Sequence, residues 1–184
     1  MKTLFRASFF ALALTAGIAS AGVYEDLFRA IENDETKTVT SILERGMDVN
    51  AVDKTGNSLL MLAVQKDNVE LVRFLLERRA RVQTRNQYGD TALLLAALKG
   101  NIDVVKLLVI GGAEINSTGW TPLHYAAYGG NEEVVEFLIR RGANINALAP
   151  NQETALTLAN QSNHPGVARI LKKYGAKEKD AAAE

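Results

Sequence analysis

Residues 119–131 read GWTPLHYAAYGGN, and the segment that follows runs to Gly142 through Val134, Val135, Leu138 and Ile139. Thr121 suits a helix N-cap and Pro122 a first helical position. Leu123, Ala126 and Ala127 share one helix face. Gly129-Gly130-Asn131 breaks that helix, a second apolar face follows, and Gly142 fits a left-handed helix end. Asn144-Ile145-Asn146-Ala147 then leads out into a loop. This unit recurs along the chain. Alanines fall at Ala30, Ala63, Ala96, Ala126 and Ala159, with gaps of 33, 33, 30 and 33 residues. Helix-ending positions at Gly46, Arg79, Gly112, Gly142 and Gly175 repeat the same gaps. Aliphatic pairs track them: Ile42-Leu43, Leu75-Leu76, Leu108-Val109 and Leu138-Ile139, then Leu171-Lys172. A period near 33 means stacked helix-turn-helix units, none of which buries its apolar face alone. Such an array predicts a binding scaffold rather than an enzyme.

The stretch Gly-Trp-Thr-Pro-Leu-His-Tyr-Ala-Ala, then Gly-Gly-Asn, Val-Val, Leu-Ile and Arg-Gly-Ala-Asn-Ile-Asn, resembles an ankyrin repeat. Asp53 to Thr84 and Asn86 to Asn116 are looser copies; Tyr24 to Val52 and Ala149 to Ala176 are degenerate terminal ones. The resemblance implies an all-α, ankyrin-type solenoid of about five repeats, with paired antiparallel helices in an L-shaped array and short hairpin fingers on one side. The expected repeats are 24–52, 53–85, 86–117, 118–148 and 149–176, within an array spanning 22–176. Three departures stand out. Lys172-Lys173 brings polar residues to the last repeat, as a terminal cap requires. Arg79 replaces a helix-ending Gly and should carry a left-handed penalty of roughly 1–2 kcal/mol. Only two residues separate Asn116 from Gly119, against five between Asn50 and Gly56, so this hairpin should be clipped by three residues. The shortening is either a tolerated loop-tip deletion or a notch fitted to a partner.

Lys2 and Arg6 precede an apolar run from Ala7 to Ile18, and Ala19-Ser20-Ala21 offers the small residues of a cleavage site. Residues 1–21 therefore read as a secretory signal peptide cleaved after Ala21, with a periplasmic product. The alternative is a membrane anchor, but about 12 apolar residues rise only about 18 Å as a helix, short of a roughly 30 Å hydrocarbon core. No stable anchor is expected after cleavage. The chain has no Cys, which excludes disulfides, thiol catalysis and Cys-based metal sites. Its formal charge is zero; without Lys2 and Arg6 it is −2. A nucleic-acid partner would need a clustered basic excess, so none is expected. Apolar residues make up 47% and aromatics 7%, which fits a core of Leu, Val, Ile and Ala. Residues 177–184 are charged and Ala-rich and read as a frayed or disordered tail.

Little in the sequence points to catalysis. His124 has no ligand or nucleophile near it in sequence, and the resemblance to ankyrin repeats implies that its ring hydrogen-bonds locally and ties neighbouring turns together. His164, before Pro165, is expected to be solvated. Asp34-Glu35 and Asp67-Asn68 occupy the inter-helix turn that Gly100-Asn101 and Gly130-Asn131 fill elsewhere. No phosphate-cradling Gly loop or Ser-His-Asp order appears. No catalytic residue, metal or cofactor is expected.

Binding is another matter. By the resemblance, fingertips and the exposed side of the first helices line a concave surface. Matched fingertip positions are Lys54, Thr55, Asn57, Gln87, Tyr88, Asp90 and Trp120; exposed first-helix positions are Gln65, Lys66, Leu98, Lys99 and Tyr128. Tyr88, Leu98, Trp120 and Tyr128, with Gln65, Lys66 and Lys99, form the expected partner-binding set, since exposed Tyr and Trp often anchor interfaces. The competing reading has Trp120 covering the clipped hairpin and Tyr128 packing on its neighbour. The expected function is that of an exported, monomeric scaffold for another protein. Resemblance to exported bacterial ankyrin-repeat proteins implies support of a periplasmic enzyme such as a catalase. An immunity or inhibitor protein that blocks a periplasmic toxin enzyme would use the same face; an enzyme would show a cleft of shifted pKa values.

Overall fold

A computed structural model describes residues 22–177. The signal peptide expected over residues 1–21 and the tail beyond Lys177 lie outside the described residues. The described residues form ten helices and no strand; one isolated antiparallel bridge joins Val52 and Ser58. The helices are α1 (residues 22–32), α2 (Thr36–Glu44), α3 (Leu59–Gln65), α4 (Val69–Glu77), α5 (Ala92–Lys99), α6 (Ile102–Ile110), α7 (Pro122–Tyr128), α8 (Glu132–Arg140), α9 (Ala155–Gln161) and α10 (Pro165–Lys173). The chain divides into two compact bodies, one reaching to Asp48 and the other beginning at Val49.

The first body is the hairpin α1–α2. Asp34 turns the chain with φ 59°, and Glu35 N–H returns to the Ala30 carbonyl at 2.8 Å. Leu27, Ala30, Ile31, Val39 and Leu43 are buried. Thr38 is exposed and Ile42 half-buried, whereas Leu71 and Leu75, one period on, are buried.

The second body holds four helix pairs, α3–α4, α5–α6, α7–α8 and α9–α10. First helices pack on first helices and second on second. Each first helix opens with a buried hydroxyl cap: Ser58, Thr91, Thr121 and Thr154 accept from the backbone N–H three residues on. Four of the recurring alanines, Ala63, Ala96, Ala126 and Ala159, are fully buried here, on the first helices that pack on one another. Leu75, Leu108, Leu138 and Leu171 are equally buried, each contributing about 1.5–3 kcal/mol by burial. The inter-helix turns take positive φ at Asp67, Gly100, Gly130 and Asn163. Lys172 and Lys173 are exposed, as the terminal position demands.

The helix ends confirm the reading of Arg79. Its φ is 61°, in the left-handed region that Gly112 and Gly142 occupy at 89° and 88°. The same paired bonds close each end: Arg79 N–H to Leu76 O and Ala80 N–H to Leu75 O, both 2.9 Å, match Gly142 N–H to Ile139 O and Ala143 N–H to Leu138 O.

Asparagines tie the second body's repeats together. Asn50 Oδ1 accepts from Arg81 N–H at 2.8 Å, Asn116 Oδ1 from Asn144 N–H at 2.8 Å, and Asn146 Oδ1 from Lys177 N–H at 2.8 Å. Asn116 Nδ2 also donates to the Gly142 carbonyl at 2.9 Å. These acceptors occupy one register position and read the backbone just past the next repeat's helix end.

Candidate functional site

The fingers precede the first helices. Two backbone bonds close each of three of them: Asp53 N–H to Asn57 O and Gly56 N–H to Asp53 O, and the same pattern over 86–90 and 149–153. Asp53 braces its turn by accepting from Thr55 and Asn57 backbone and side chains at 2.7–3.2 Å. Burial raises its pKa, but those hydrogen bonds outweigh burial and leave it below the usual carboxylate value. Between Asn116 and Trp120 that closure is replaced by Ser117 Oγ donating to the Trp120 carbonyl at 3.1 Å. The finger is clipped, as its missing residues require.

Trp120 nevertheless stands at the base of its finger rather than at a tip. It takes the register of Asp90 and Glu153, directly before the cap. It is half-buried, edge-on to His124 with centroids 5.8 Å apart and to Tyr125 at 6.1 Å. Tyr128, 58% exposed, and Leu98, 36% exposed, project from the ends of α7 and α5. With Tyr125, Glu153, Leu158 and Gln161, these three residues line a groove of about 400 Å³ across α5, α7 and α9. Tyr125 donates to Asp90 Oδ1 at 2.6 Å, a bond that joins α7 to the 86–90 finger. Burial and then the Asp90 carboxylate push the phenol well above its ordinary pKa.

Of the expected set, the groove therefore unites Leu98, Trp120 and Tyr128. Tyr88 is 75% exposed but lies at the tip of the 86–90 finger, outside the lining. Gln65, Lys66 and Lys99 are exposed and also outside it; Lys99 pairs with Asp67 at 3.2 Å. Sequence reasoning missed Tyr125, Glu153, Leu158 and Gln161. The period contained the signal: Gln161 shares the register of Leu98 and Tyr128, Leu158 that of Tyr125, and Glu153 that of Trp120.

The histidines are structural. His124 Nδ1 accepts from Thr121 N–H at 3.1 Å, and its Nε2 donates to the Ala147 carbonyl at 3.0 Å, which assigns the Nε2–H tautomer. Burial lowers its pKa, with the bond to Ala147 opposing. His164 is not simply solvated. It is half-buried, its Nε2 donates to the Tyr128 carbonyl at 3.0 Å, and its ring covers Gly130, where a Cβ would approach Nδ1 to 2.6 Å. Among the described residues no three His, Cys, Asp or Glu side chains converge as a metal site, and no helix is long and apolar enough to cross a membrane.

A family model described as ankyrin repeats (3 copies) matches residues 27–118 and 110–181. No curated protein matches the chain.

Proposed function

The chain belongs to the ankyrin-repeat family, whose repeats serve as protein–protein interaction scaffolds, and we propose that it acts as an exported scaffold. In this reading it holds another protein through the groove across α5, α7 and α9. The observation that carries the reading is the clustering of Trp120, Tyr125 and Tyr128 with Leu98 and Leu158 in one open groove. An open, largely apolar groove of this kind ordinarily binds something, and Tyr and Trp are the side chains that most often anchor such contacts. The segment from Lys2 to Ala21 supports export and a periplasmic site of action. Resemblance to exported bacterial ankyrin-repeat proteins makes a periplasmic enzyme such as a catalase the first partner class to seek.

The test is affinity capture from the periplasmic fraction of the source organism, with amino-terminal sequencing of the bait's native counterpart. A mature chain beginning at Gly22, and one protein retained by wild type but lost with Tyr128→Ala, are the expected results. An intact Met1 on membrane-bound protein would overturn export. Equal retention of that protein by Tyr128→Ala would overturn the groove as the binding face.

A further inference from the structure

The groove is more selective than an apolar patch, because its lining combines three aromatic rings and two leucines with one carboxylate and no basic side chain. Trp120 and Tyr125 meet at 88°, so their π faces look in different directions. A π face carries the negative part of the ring quadrupole and attracts cations. Glu153 adds formal charge. Its Oε1 accepts from Gln161 Nε2 at 2.7 Å and its Oε2 from Asn151 Nδ2 at 2.5 Å. Both donors are neutral amides, which orient the carboxylate without cancelling it. Asp90 brings a second carboxylate behind Tyr125, again held by a neutral donor. The base beside Leu98, Lys99, is turned to Asp67.

From these features, and resting on the scaffold reading above, we propose that the groove receives an arginine side chain of the partner protein. The aliphatic stem packs on Leu98 and Leu158. The guanidinium lies over the Tyr128 and Trp120 rings with Glu153 at its edge. Arginine suits this site better than lysine because its planar, weakly hydrated head stacks on aromatic faces while donating to a carboxylate in plane.

Trp120 is the chain's only tryptophan, so its fluorescence reports directly on the groove. The probes are acetyl-Gly-Arg-Gly amide, its citrulline counterpart, which keeps the shape without the charge, and acetyl-Gly-Leu-Gly amide. The arginine peptide should change Trp120 emission saturably, and the other two should bind about tenfold more weakly or worse. Glu153→Gln and Tyr128→Leu should each weaken the arginine peptide about fivefold, Tyr128→Leu with its melting curve unchanged and Glu153→Gln still folding cooperatively though it gives up one accepted hydrogen bond. Equal binding of the citrulline or leucine peptide would sink the proposal, as would an unchanged affinity in Glu153→Gln or no saturable response to the arginine peptide. The two readings separate on the captured partner. Retention that depends on Tyr128 but survives Glu153→Gln overturns the arginine assignment alone; retention indifferent to Tyr128 overturns both.

Discussion

Replacing Arg79 with glycine should stabilise the protein. Arg79 sits at φ 61° where Gly112, Gly142 and Gly175 take 89°, 88° and 88°. A Cβ in the left-handed region costs roughly 1–2 kcal/mol through its clash with the carbonyl oxygen. Arg79 has settled at a smaller φ than the glycines, nearer the value an L residue tolerates. The Arg79 side chain is exposed, so little packing is lost with it. The extra freedom of glycine in the unfolded chain returns about 0.4–1 kcal/mol. The net expectation is a gain of about 0.5–1 kcal/mol, or about 2–4 °C per kcal/mol in Tm for a chain of this size. Gly142→Ala is the reciprocal experiment, because a Cβ there meets nothing within 4 Å. The loss it causes is backbone strain less that same unfolded-chain term, a net of about 0.5–1 kcal/mol. Urea melts of the wild type and both variants, with unchanged m-values, measure the effect. An unchanged or lower midpoint for Arg79→Gly would refute the strain argument, as would a harmless Gly142→Ala.

Tyr128→Ala and Trp120→Ala should each weaken partner binding by roughly 2 kcal/mol in a titration, whereas Leu138→Ala should cost about 2–5 kcal/mol of stability. Tyr128→Ala should leave the melt unchanged; Trp120→Ala should lose about 1 kcal/mol of stability as well, since its ring packs edge-on against two others, and a loss as large as that of Leu138→Ala would make Trp120 a core residue. The pKa of His124 lies below its ordinary 6.5 when folded, so the unfolded chain binds the proton more readily. Its contribution is complete above 6.5 and is lost as pH falls from there toward the folded value; melts from pH 7.5 to 5.5 should show that slope, and His124→Gln should flatten it. Asn116→Ala removes two exposed inter-repeat hydrogen bonds and should lower stability by about 1 kcal/mol, read as a lower urea midpoint.

Much of this molecule is local in origin and therefore legible in its residues. Ala63, Ala96, Ala126 and Ala159, the hydroxyl caps and the left-handed helix ends each depend on a few neighbours along the chain. A repeat of fixed length copies those neighbours, so the period alone announces helices, turns, the strained Arg79 and the clipped finger. The groove was half legible. Leu98 and Tyr128 follow from the period, because a residue at the end of a first helix points the same way in every repeat. What the period does not disclose is distance across repeats. Trp120, directly before its cap, lies at its finger's base against His124 and Tyr125, while Tyr88, at the tip of the 86–90 finger, falls outside the lining. The Tyr125–Asp90 bond spans 35 residues, the Glu153–Gln161 bond joins a finger to its helix end, and His164 reaches back to the Tyr128 carbonyl over 36 residues. The Tyr125–Asp90 and His164–Tyr128 contacts form only once helices stack side by side, so the groove's shape belongs to the tertiary structure, while the helices that frame it belong to the sequence.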